Sequence, residues 1–94
     1  MASVGVLTLD LRLHNAHSLK EKRHVVKSLK DRLRHKFNVS VAEIDDQDLH
    51  NSAVLAAATV SSSRDFAAKV LEAVEDEAAA QLGPMLIRAE IDWL

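Results

Sequence analysis

An α+β domain of element order β-α-β-β-α-β is predicted for this chain. Two observations predict it. Four stretches are strand-like, with apolar residues at alternate positions or in dense β-branched runs. Two longer stretches, set between the first and second and between the third and fourth, carry the 3.6-residue period of a helix with one buried face.

The first strand is Val4–Leu13, where Leu7, Leu9, Leu11 and Leu13 alternate with Thr8, Asp10 and Arg12. Val4 and Val6 fall on the polar side, so the second face is also apolar at its start. His14-Asn15-Ala16-His17 connects to a helix predicted from Leu19 to about Lys36. Ser18 followed three residues later by Glu21 reads as a capping box, the carboxylate reaching back to the cap. Leu19, Val26, Leu29 and Leu33 share one arc of this helix, with Val25 at its margin. Phe37–Ile44 is the second strand and Asp45-Asp46-Gln47-Asp48 an acidic turn. Ser52–Ser61 is the third strand. Its alanines would suit a helix, but Val54, Thr59 and Val60 favour a strand, and its two apolar faces suit a central strand covered on both sides. Ser62 with Asp65 opens the second helix, with Phe66, Val70, Ala73 and Val74 as the inner stripe and Glu72, Glu75, Asp76 and Glu77 outside. Gly83-Pro84 stops it. Met85–Leu94 is the last strand, in which Ile87, Ala89, Ile91 and Trp93 alternate with Arg88, Glu90 and Asp92.

This order specifies a ferredoxin-like arrangement, a four-stranded antiparallel sheet with both helices on one face. The other face stays open. Val4, Val6 and one side each of the third and last strands are expected to line it, and a homodimer through that face is one expectation.

Composition narrows the function. Ninety-four residues fit one domain, 48% apolar and 28% charged, as in ordinary globular proteins. With no Cys there is no disulfide, no thiol nucleophile and no Cys-based zinc site, which suits the cytoplasm. No signal peptide or membrane-length apolar run is visible. The net charge of −2 hides an asymmetry: residues 1–36 hold nine Lys/Arg and three Asp/Glu, and residues 43–94 hold three and eleven. The basic third can attract an anion that the rest repels.

That charge has a pattern. Lys20, Arg23, Lys27, Lys30 and Arg34 follow one another at i, i+3, i+7, i+10 and i+14, a single stripe beside the apolar arc. Cations in a first helical turn oppose the helix dipole by about 0.3–1 kcal/mol each when exposed. Together with Lys22 they form a candidate surface for phosphates, RNA backbone above all. The plainer reading is a solvated helix face, with Lys27 and Asp31 paired along it. Base stacking has little support. Phe37, Phe66 and Trp93 are the aromatics, all at core-like positions, and the only glycines are Gly5 and Gly83, so the aromatic platform and Gly-x-x-Gly loop of common RNA-binding domains are missing.

Lys22 falls inside the apolar arc, so it must reach solvent or pair. Glu43 on the following strand is the candidate partner for a structural ion pair, with Asp10 the alternative. His14 with His17, and Asp45, Asp46 and Asp48 with His50, read as solvated turn residues before metal ligands, since the acidic turn lacks the Gly and terminal Glu of a calcium loop. His14, His17 and His24 surround the helix start and could assist anion binding when protonated. No nucleophile elbow, phosphate-binding glycine loop, triad or cofactor motif is present, so the expectation is a protein without catalytic residues, metal or cofactor.

Three stretches resemble a known family: Ser18–Arg23, Phe37–Glu43, and Asp48-Leu49 with Ala53 and Leu55. They are similar to the YlxP-like family of small bacterial proteins (domain of unknown function 503). The resemblance spans essentially the whole chain. It implies a ferredoxin-like fold, a bacterial cytoplasmic protein and genes lying near translation-initiation and ribosome-binding factors, hence ribosomal RNA or a ribosomal subunit as partner. The family carries no established catalytic residues. The alternative is a dimeric interaction or regulatory module that uses the open sheet face.

Overall fold

A computed structural model describes all residues 1–94. The elements are β1 (Ser3–Arg12), α1 (Leu19–Lys36), β2 (Ser40–Asp45), β3 (Ser52–Ser61), α2 (Arg64–Leu82), a 3-10 turn over Gly83–Met85, and β4 (Leu86–Trp93). The four strands form one antiparallel sheet in the order β2-β3-β1-β4. Both helices lie on one face, which is the ferredoxin-like arrangement the alternation of periods predicts.

The core follows from strand alternation. Leu7, Leu9, Leu11 of β1 and Ala53, Leu55, Ala57 of β3 point to the helices and are buried with Val26, Leu29 and Leu33 of α1. Burying a Leu side chain contributes about 1.5–3 kcal/mol, so these rows dominate the stability of a small domain. Gly5 sits where β1 passes under α2. A Cβ there would lie 2.7 Å from Leu71 Cδ1 and 2.8 Å from Trp93 Cζ3, so any side chain would have to displace them.

Several local expectations are corrected. The inner stripe of α2 is Ala67, Leu71, Val74, Ala78 and Leu82, and Phe66 is 61% exposed. The alanine-rich helix leaves the phase ambiguous, and the large side chains Leu71 and Leu82 decide it. The α2 cap is Ser63, whose Oγ accepts from Phe66 N at 3.1 Å, one residue after the expected Ser62. At α1, Ser18 Oγ does accept from Glu21 N at 3.1 Å, but the Glu21 carboxylate accepts from His17 N at 2.7 Å and not from the cap itself. Glu77, expected outside, lies between the helices and accepts from Arg32 at 2.9 Å and Lys36 at 2.7 Å.

The open sheet face also differs from expectation. β3 is covered on one side only, and Val54, Ala56 and Ala58 stay half-buried with Val60 57% exposed. On β4 the open side is charged. Arg88, Glu90 and Asp92 pair in register with Asp10, Thr8 and Val6, while Ala89 and Ile91 turn to the core face opposite Leu9 and Leu7. A register shift opposite Asp10 and Leu11 skips Ile87, which is exposed.

Candidate nucleic-acid interface

The five cations singled out by spacing and Lys22 do not act as one surface. The helix puts each at a different angle to the sheet, and packing sorts them into three environments.

Lys22 is withdrawn from any anion. Its side chain is 1% exposed, and its Nζ lies 2.8 Å from Glu43 Oε2. The ammonium donates to the carbonyls of Asp46 at 2.5 Å, Leu49 at 2.6 Å and Ser52 at 2.9 Å. Three N–H bonds thus go to three carbonyls, and the carboxylate supplies the countercharge. The expected phosphate contact by Lys22 is therefore corrected: a lysine enclosed by four oxygens of its own chain has no donor left to offer. Asp10 is not its partner, because β1 places it on the opposite sheet face, across from Arg88. The acidic turn owes its shape to this clamp. Asp46 adopts a left-handed φ of 61°, and its carboxylate accepts from Ser52 Oγ at 2.8 Å.

Arg23, Lys27, Lys30 and Arg34 line a groove of about 460 Å³ between α1 and β2, with Val26, Asp31 and Glu43 completing the walls. β2 is an edge strand, so the groove opens along the side of the sheet. Lys27 is paired with Asp31 at 2.6 Å, both largely exposed. That hydrogen bond, with Lys30 and Arg34 nearby, holds the Asp31 carboxyl below its ordinary value of 3.8 against a smaller opposing effect of burial. Arg34 donates to the Val41 carbonyl of the edge strand at 2.5 Å while its side chain stays exposed. Arg23 and Lys30 make no ion pair. Of the two carboxylates in the groove, Glu43 is already neutralised by Lys22 and Asp31 by Lys27. The groove is left net positive through Arg23, Lys30 and Arg34.

Lys20 stands apart. It borders a separate cleft of about 630 Å³ at the start of α1, with an apolar floor of Leu13, Ala16, Val25 and Met85 and a rim including Glu21 and His24. His14 and His17 do not line either cavity. No three His, Asp or Glu side chains converge as metal ligands. No helix is long and apolar enough to cross a membrane.

The spacing rule found the cations of the groove, and the position of Lys22 in the apolar arc pointed to Glu43, the β2 residue that lines its other wall. The carbonyls that complete the Lys22 shell were missed, because a carbonyl leaves no mark in a sequence.

Comparison with known proteins places the chain. Residues 4–91 match a family described as "Protein of unknown function (DUF503)". The chain belongs to the DUF503 family. A relative, "Uncharacterized protein YlxP" of Bacillus subtilis (strain 168), is 41% identical over 71 residues, covering 76% of this chain and 77% of the relative. Among known structures, a de novo designed protein with a ferredoxin fold has a TM-score of 0.54 at 16% identity, covering 100% of this chain and 84% of its own. SnoaB, a cofactor-independent oxygenase from Streptomyces nogalater, has a TM-score of 0.53 at 17% identity, covering 98% and 90%. A dimeric ferredoxin-like protein from an uncultured marine organism has 0.52 at 13%, covering 98% and 84%. At such identities these structures establish the fold of this DUF503 member and nothing of its chemistry.

Proposed function

We propose that this DUF503 protein is a non-enzymatic cytoplasmic factor that docks on the backbone of structured RNA, ribosomal RNA being the partner the family resemblance implies. One observation carries the reading. Arg23, Lys27, Lys30 and Arg34 line a single groove whose carboxylates are both paired internally. A row of cations beside an edge strand suits phosphates at regular spacing and reads no base. The acidic second half keeps the rest of the molecule away from the same polyanion.

Four phosphate contacts give a slope of about −3 to −4 in log K against log salt, a roughly 100-fold weakening from about 50 to about 200 mM. Fluorescence anisotropy with a structured RNA measures it. Arg23→Glu with Lys30→Glu is expected to abolish binding without unfolding, because neither side chain is used internally. Unchanged affinity in that variant sinks the reading. Co-sedimentation with ribosomal subunits at low salt, lost at high salt, tests the ribosomal source.

A second reading, a dimeric interaction or regulatory module, is favoured by the uncovered apolar face of β3. One similar structure is described as a dimeric ferredoxin-like protein.

A further inference from the structure

The helix side of the sheet is closed, and the opposite side is not. In register across it stand Val4 and Val60, Val6 and Ala58, Thr8 and Ala56, and Asp10 and Val54, with Ala42 beside Ala56. Apart from Thr8 and Asp10 these side chains are small and apolar, so the face is flat and offers few groups for hydrogen bonding. Its charged border is mostly acidic, with Asp10, Asp45, Glu90 and Asp92 against Arg88 and Arg12. Such a border repels nucleic acid and anionic lipid. The occupant is therefore a protein.

We propose that it is a second copy of this chain, packed sheet to sheet about a two-fold axis that runs along the strands between β1 and β3. This deepens the dimer reading above and is independent of the RNA groove, which lies beside α1, away from this face.

Two arguments select the second copy. The first is charge. On the open side of β4, Arg88 lies on one side of Glu90 and Asp92 on the other, opposite Asp10, Thr8 and Val6 in turn. An axis across the strands at Thr8 would reverse one sheet over the other and stack Glu90 on its own copy and Asp10 on Val6. An axis along the strands between β1 and β3 instead sets Arg88 of each copy, level with Asp45 through Asp10 and Val54, on Asp45 of its partner, twice by symmetry, and lays the β1 row on the β3 row. Glu90 and Asp92 then face the small side chains of Ala42 and Ser40 on β2. The second argument is area. Four strands about 4.8 Å apart and about eight residues long at 3.3 Å each present a footprint of about 500 Å². Two such faces approach the roughly 1,000 Å² that a specific interface requires, before the relief of the side chains is counted. Small residues also allow the sheets to approach to about 10 Å, as in a sandwich core.

Analytical ultracentrifugation of the whole chain across a hundredfold concentration range tests this. The expected species has twice the 10.4 kDa of the chain. Ala58→Arg, which points away from the core, is expected to halve the mass while the far-ultraviolet circular dichroism of the fold is kept. Arg88→Asp and Asp45→Arg should each weaken the dimer at least tenfold, and both together should restore it. A monomer at every concentration, a dimer indifferent to Ala58→Arg, or a double swap that stays as weak as the singles overturns the proposal. RNA affinity of the Ala58→Arg monomer, measured per chain, separates the two readings: it reports on the groove alone.

Discussion

Replacing Lys22 by Met is the most informative single change. The thioether fills similar space but supplies no charge and no donor. It leaves the carbonyls of Asp46, Leu49 and Ser52 and the Glu43 carboxylate without the ammonium that now serves all four. An unmet buried acceptor costs about 1–3 kcal/mol. Three of them with a stranded carboxylate would sum to more, but the Glu43 side chain is 17% exposed and the 47–51 turn lies at the surface, so water recovers part. The expected loss is about 3–5 kcal/mol, the range for breaking one side of a buried pair. Ninety-four residues at about 0.05–0.15 kcal/mol each hold only about 5–14 kcal/mol in all, so the change is severe. Urea unfolding followed by Trp93 fluorescence measures it, with the midpoint falling by about 2 M at a slope of about 2 kcal/mol/M. Adding Glu43→Gln should recover about 1 kcal/mol or more by removing the stranded charge. A loss under about 1 kcal/mol for Lys22→Met would refute the clamp, because a solvated surface lysine costs no more than that.

Gly5→Ala brings a Cβ to 2.7 Å and 2.8 Å from Leu71 and Trp93, and overpacking of this kind should cost about 1–3 kcal/mol, read as a lower thermal midpoint. Leu71→Ala should cost about 2–5 kcal/mol, and Phe66→Ser on the same helix about 0.5 kcal/mol or less, since one side chain is fully buried and the other exposed. The Glu77 carboxyl is held below its ordinary 4.5 chiefly by the Lys36 hydrogen bond, with Arg32 adding to it. A depressed folded value means that its stabilisation is full above about pH 4.5 and is lost as pH falls through the lower, folded value. Acid unfolding curves of Glu77→Gln should therefore be less steep below that pH than those of the parent chain, and identical slopes would show that the bridge between the helices adds nothing.

Much of the architecture was legible because its signals are local. Alternation in Leu7, Leu9 and Leu11 marks a half-buried strand wherever it occurs, and Ser18, Glu21 and the stripe of α1 mark a helix start and its buried side within one turn's reach. Such patterns act between residues up to four apart, so they can be read along a line. The basic stripe was legible for the same reason. Its division was legible only for Lys22, whose place in the apolar arc required a partner such as Glu43. Helical spacing places Lys20, Lys22 and Arg23 in one turn, yet they end in a cleft rim, a buried clamp and a groove.

What the sequence by itself determined about this protein is the order of its elements, the helix-facing rows of its sheet and the concentration of cations on the first helix. Beyond the pairing of Lys22 with Glu43, tertiary structure alone decided which of those cations are free. The other partners of Lys22 are backbone carbonyls 24 to 30 residues away. Every residue carries a carbonyl, so only the return of the chain can say which ones meet an ammonium. The phase of α2 went the same way. Alanine fits either side of a helix, and the sheet chose the face that brought Leu71 and Leu82 under cover.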